Sequence, residues 1–199
     1  IEIPPNCISQ DATCITPEML PLLSLSQAEI DTIVAVTDGG IGNLQDIYPL
    51  SPLQEGMLFH YMLAENGDIY LLASLLAFTD RQRLDSFLSA MQRVIERHDI
   101  LRTGMVWEGL SMPVQVVRRQ VALPVEEVTL DPAEGEIAQQ LETRYGPRYC
   151  RVDLRNAPLI RLYVAYDAPH QRWLVRMLAH HIVMDHVGYD LMLDDVRAI

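Results

Sequence analysis

Arg172-Trp173-Leu174-Val175-Arg176-Met177-Leu178-Ala179 runs straight into His180-His181-Ile182-Val183-Met184-Asp185-His186-Val187-Gly188, and this junction decides the fold. The first stretch is short and apolar, as a buried strand requires, and Tyr189 to Ile199 brings Leu191, Val196 and Ile199 back at helical spacing. Three imidazoles and a carboxylate therefore stand where a sheet element ends and a helix is about to begin. A scaffold can hold titratable groups rigidly there and still present them to a substrate. A histidine pair with an aspartate four residues on fits three arrangements: a general base with a structural acid, a metal site, or a buried polar turn.

Working outward, Leu159 to Tyr166 and Trp173 to Ala179 read as a hairpin-like pair of strands across Ala168-Pro169-His170. Asp80 to Arg97 is the clearest helix, with Leu84, Phe87, Leu88, Met91, Val94 and Ile95 on one stripe. Ile69 to Phe78 fits a buried strand, and Leu101 to Trp107, Val114 to Val117 and Leu123 to Val128 read as further strands parted by turns. Asp131-Pro132 opens a helix expected to run to about Tyr145. Pro49 to Gly67 carries a helix that starts on Ser51-Pro52, and Ser26 to Val36 another, with Ser26 and Glu29 at capping-box spacing. Residues 1–24, with Pro4, Pro5, Pro17 and Pro21, read as an extended, linker-like lead-in. Helices alternating with strands imply an α/β or α+β sandwich with helices packed on a sheet.

Composition narrows the function. The formal charge is −12, and all 15 basic residues are arginine. An acidic chain without a basic stripe is a poor ligand for a phosphate backbone, so no nucleic-acid partner is expected. Without lysine the chain has no Schiff-base chemistry and no P-loop lysine. No apolar run reaches the roughly 18 residues that span a bilayer, and the start has no secretory pattern. A cytoplasmic protein without a membrane partner is the expectation. Cys7, Cys14 and Cys150 offer neither a disulfide framework nor a zinc knuckle.

The histidine loop can be weighed on geometry. Adjacent residues leaving a strand point to opposite sides, so one of His180 and His181 faces inward and the other faces a cleft. A neutral imidazole, with a reference pKa of about 6.5, takes a proton from an amine or hydroxyl near neutral pH. Asp185 can close the turn by accepting backbone N–H groups or by pairing with an arginine. Divergent histidines and the absence of a helical HExxH argue against metal, and none is expected. GxSxG, GxGxxG and Walker patterns are also missing.

Three segments then resemble one family in its own order. His180-His181-Ile182-Val183-Met184-Asp185 resembles the HHxxxDG motif of the condensation domains of nonribosomal peptide synthetases. Tyr48-Pro49-Leu50-Ser51-Pro52-Leu53-Gln54-Glu55-Gly56-Met57-Leu58-Phe59-His60 resembles the opening SPLQEGMLFH signature, and Arg97-His98-Asp99-Ile100-Leu101-Arg102-Thr103 the RHExLRT motif, with Asp99 for Glu. The resemblance implies a lobe like those of chloramphenicol acetyltransferase, with helices on a mixed β-sheet. It implies peptide-bond formation between thioesters on upstream and downstream peptidyl carrier domains, with no cofactor beyond the carriers' phosphopantetheine arms. It casts His181 as the residue assisting amine attack and His180 as buried scaffold. Asp185 would be a support held by Arg97 or Arg102. Residues 25–199 would then be the N-terminal lobe, with the C-terminal lobe absent, residues 1–24 leading in from an upstream carrier, and this polypeptide inactive by itself.

The chain departs from the family at the motif glycine, where His186 stands and glycine comes two residues later as Gly188. Both are expected near the substrate tunnel. His60, Tyr61, Gly67 and Asp68 resemble the HH[I/L]xxxxGD motif of dual epimerisation/condensation domains, with Tyr61 at the second histidine. A phenol with a reference pKa of about 10 is a poor base at neutral pH, so a domain accepting a D-configured donor stands beside the dual subtype. A carrier-docking or gatekeeping module without chemistry is the non-enzymatic alternative.

Overall fold

The computed structural model describes residues 6–199. Helix α1, Gln27–Val36, starts where the Ser26–Glu29 spacing predicts: the Ser26 hydroxyl accepts the Glu29 amide, and the Glu29 carboxylate accepts the Ser26 amide. A single turn, α2, spans Gly40–Asn43. Strand β1, Leu44–Pro49, has no counterpart among the expected elements. An aspartate inside it and a proline at its end weaken the strand pattern. Both are tolerated because β1 lies at the edge of its sheet, and Asp46 accepts the Ile47 amide and the Tyr48 hydroxyl.

Helix α3, Pro52–Leu63, is opened by a Ser51–Gln54 capping box. Strand β2, Leu71–Phe78, leads to α4, Arg81–Arg97, whose N-cap Asp80 accepts the Arg83 amide. The strand expected from Leu101 begins later. Asp99–Arg102 winds into a 3-10 turn first, and β3 covers Thr103–Val106. Strands β4, Val114–Arg118, and β5, Val125–Glu127, follow. The helix expected from Asp131 is divided at Gly135, whose φ of +117° only glycine adopts readily. A 3-10 turn at Pro132–Glu134 precedes it, and α5, Ile137–Arg144, comes after. Strands β6, Ile160–Asp167, and β7, Arg172–His180, form the expected hairpin, and α6 is His186–Ala198.

The strands make two sheets. One has order β1-β4-β3, and the other is mixed with order β2-β7-β6-β5, where only the β5–β6 pairing is parallel. Leu84, Met91, Val94 and Ile95 of α4 pack with Val175, Met177 and Ala179 of β7 in the main core. Burying each large aliphatic side chain contributes about 1.5–3 kcal/mol, so the α4 stripe alone anchors the helix on the sheet. A second cluster joins α1 and the smaller sheet to Ile8, Ile15 and Leu20. The segment read as a lead-in is therefore docked on the lobe over its described part, because three well-spaced apolar side chains outweigh its prolines. No helix among the described residues is long and apolar enough to cross a membrane.

Glu29 closes this second region. Its carboxylate takes the Ser111 amide at 2.6 Å from the β3–β4 hairpin, in addition to Ser26. Hydrogen bonds from Ser111, and then from Ser26, hold the carboxyl down to about 2. A folded-state value below the unfolded 4.5 means that stability is fully present above pH 4.5 and is lost as pH falls toward about 2. Melting temperature followed between those pH values should fall more steeply in the wild type than in Glu29→Gln. Identical acid arms would count against this staple.

Candidate active site

Two hydrogen-bonded neighbours hold β7. Leu71 of β2 lies opposite His180, and Ile160 of β6 lies opposite Ala179. The strand hydrogen bonding carries one residue further, as the His181 amide donates to the Tyr70 carbonyl at 2.8 Å. The chain then turns, with the Val183 and Met184 amides bonded back to the carbonyls of His180 and His181. Side-chain alternation therefore sends the two imidazoles to opposite faces.

His180 is fully buried. Its Nδ1 accepts the Ile182 amide at 3.0 Å, which leaves the ring proton on Nε2. Nε2 stands 2.9 Å from Oδ2 of Asp68, itself buried. Asp68 is fixed in turn: its other oxygen accepts the Tyr70 amide, and its own amide donates to the Pro147 carbonyl. Gly67 makes that approach possible. Its φ is +66°, and a Cβ there would lie 2.6 Å from the Arg148 carbonyl oxygen.

His181 faces the other way, onto a cavity of about 550 Å³ lined by Ser51, Leu53, Gln54 and Met57 of the α3 start, by His98, Ile100 and Leu101, and by α6. Its Nδ1 is buried and has no hydrogen-bond partner among the described residues. The ring meets His186 edge-on, with centroids 5.4 Å apart. Among the described residues, no arginine lines the cavity. Gln54 joins the first segment to the loop directly, its side-chain amide donating to the Ile182 carbonyl at 3.0 Å and to Gln115 at 2.9 Å.

Asp185 is the N-cap of α6, its Oδ1 accepting the Gly188 amide at 2.7 Å. This corrects the expected ion pair with Arg97 or Arg102. Arg97 is exposed on the last turn of α4. Arg102 is buried and committed elsewhere, to the Asp99 carboxylate, the Arg118 carbonyl and Gln45. Reaching an N–H three residues away orders far less chain than a remote guanidinium, and that favours the cap. Gly188 is spent on this cap, and a Cβ there would crowd Met184 at 3.2 Å. His186 is exposed in the first turn of α6.

The four residues of the epimerisation-like pattern gather around His180 and away from the His181 cavity. Tyr61 stands edge-on to the rings of His180 and Trp107 and lies under the Arg151 guanidinium. His60 pairs with the Tyr70 hydroxyl at 2.7 Å. None of His60, Tyr61, Gly67 and Asp68 lines the cavity. Sequence reasoning missed the parts played by Asp68, Gln54 and the Asp195 carboxylate at the cavity wall. The Ser51–Gln54 spacing was a signal for a cap, but nothing in it points to Ile182.

The Condensation domain family matches residues 44–199. The chain is 50% identical over its whole length to malpinin synthetase of Mortierella alpina, of which it spans 3%. Over 94% of its length it is 33% identical to a linear gramicidin synthase of Brevibacillus parabrevis, of which it spans 2%. Among solved structures, 75% of the chain superposes on 37% of the starter condensation domain of rhizomide synthetase with a TM-score of 0.61 at 24% identity. A four-domain nonribosomal peptide synthetase gives 0.66 over 78% of the chain and 12% of its own, at 16% identity. The chain spans a small part of each relative, and it belongs to the condensation-domain family of nonribosomal peptide synthetases.

Proposed function

We propose that the chain takes part in peptide-bond formation between carrier-bound thioesters, with His181 as the group that handles the proton. The observation that carries this is the division of labour at the strand end: His180 is sealed in the interior with its Nδ1 taking the Ile182 amide, whereas the ring of His181 lines a cavity. The donor and acceptor are written as substrates, an acyl and an aminoacyl thioester on phosphopantetheine arms of upstream and downstream carriers. A cavity of about 550 Å³ with a largely apolar lining fits the uncharged thioester ends of such substrates.

In the reaction, the acceptor amine nitrogen bonds to the donor carbonyl carbon, and the carbon–sulfur bond of the donor breaks. The nitrogen loses a proton to His181, which can return it to the departing thiolate. Holding both thioesters beside one fixed imidazole supplies proximity as well as proton transfer. His180 and Asp68 position the loop, and Asp185 fixes the start of α6. His186 packs edge-on against the His181 ring and stays outside the cavity lining. The docked segment before residue 25 leads in from the upstream carrier, and a second lobe supplies the opposite wall of the groove.

Epimerisation has less support, since Tyr61 is held against His180 and Trp107 and lies off the cavity. A module-length synthetase protein carrying this chain, given loaded donor and acceptor carriers, should lose about 10²–10⁴-fold in rate on His181→Ala. Wild-type turnover in that variant would leave a carrier-docking module without chemistry as the better account. Chiral analysis of the product should find the donor α-carbon with the configuration it had when loaded. Asp68→Ala removes the buried carboxylate 2.9 Å from Nε2 of His180 and the acceptor of the Tyr70 amide, and should cost about 2 kcal/mol of stability, read as a lowered urea midpoint. Equal midpoints would remove Asp68 from the support of His180.

A further inference from the structure

Helix α6 begins at Asp185, four residues beyond His181, so whatever seats the helix also seats the loop. Its apolar seat is Met192 and Val196 on the main core. Two polar ties fasten it sideways. Near its start the Tyr189 hydroxyl is hydrogen-bonded to Ser74 on β2. Nearer its end, Oδ2 of Asp195 lies 2.7 Å from Nε2 of His98, the C-cap residue of α4. His98 and Asp195 also line the cavity on which His181 opens.

We propose that His98 is a positioning residue for the reaction assigned to His181, acting through a hydrogen-bonded clamp on Asp195 that holds α6, and with it the histidine loop, against α4. The proposal rests on the peptide-bond role of His181. Several groups share the cavity with His98. From α6 and its cap come the carboxylates of Asp195 and Asp185, and from the loop comes the His181 imidazole. On its own segment Arg97 is exposed and Asp99 is turned to Arg102 and Gln45. Helix α3 and its cap offer only Ser51, Leu53, Gln54 and Met57 to the cavity.

The His98–Asp195 bond joins the C-terminal end of α4 to the later part of α6. Without it α6 is free to tilt, and the loop that leads into the helix moves with it, so the His181 imidazole loses its fixed distance from the reacting amine.

The test is kcat and KM of peptide formation in the module-length protein, with thermal melts to confirm folding of each variant. His98→Gln, which places an amide N–H near the position of Nε2, should keep the rate within about threefold, whereas His98→Ala should lose about tenfold in kcat with KM for each carrier little changed. Asp195→Asn, a half-buried substitution that keeps an acceptor oxygen, should stay within about threefold, and Asp195→Ala should fall with His98→Ala. A wild-type rate in His98→Ala, or a loss in His98→Gln as large as in His98→Ala, overturns the clamp. A wild-type rate in His181→Ala overturns the role of His181 instead, and the His98 variants still report whether the clamp acts on rate.

Discussion

The site depends on one constraint: a strand paired on both edges must put consecutive side chains on opposite faces. Strand β7 lies between β2 and β6, and its pairing persists to the His181 amide. Of two identical imidazoles, one is forced into the interior and the other out to a cavity. An interior imidazole needs partners for both nitrogens, and the Ile182 amide and the Asp68 carboxylate are set beside them. The loop that brings Asp68 could not approach residues 147 and 148 with any side chain at position 67. A glycine and an aspartate far from the histidines in sequence thus decide which histidine stays available.

The three segments that resemble the family's motifs meet in space through particular bonds. Gln54 completes the cap of α3, and the same amide group reaches the Ile182 carbonyl. His98 ends α4 and reaches α6. Arg102 stitches its 3-10 turn to β1 and β4 and carries no contact to the histidine loop. Each segment thus supplies an element end, where backbone groups lack intrahelical partners and side chains can cap or bridge. The cavity between those ends is what they jointly build.

Much of this fold is legible along the chain because its periods are clean. The α4 stripe, the β6–β7 hairpin and the Ser26 and Ser51 caps are local patterns, and each lies close to where its spacing placed it. Misses occur where a tertiary partner overrides the local pattern. Strand β1 exists because β4 pairs with it, despite Asp46 and Pro49. The helix expected from Asp131 breaks because Gly135 takes a backbone angle that a periodicity count ignores. In the site, the opposite facing of the two histidines follows from alternation alone. The identity of Asp68 as the partner of His180, and of Asp195 as the partner of His98, depends on which loops touch, and no local spacing encodes that.

The placing of Asp185 has a wider consequence. An aspartate paired to a distant arginine would tie the loop to wherever that arginine sits, and the loop would move with it. As an N-cap, Asp185 is satisfied three residues away, and the remaining anchors are Tyr70, Gln54 and the core contacts of Ile182, Val183 and Met184. All of them lie within the described residues. The loop conformation is therefore specified by the lobe that carries it. The first two turns of α6, with Val187 and Leu191 exposed, face out of the lobe, so the tilt of that helix is left to Met192, Val196 and the polar ties at Tyr189 and Asp195.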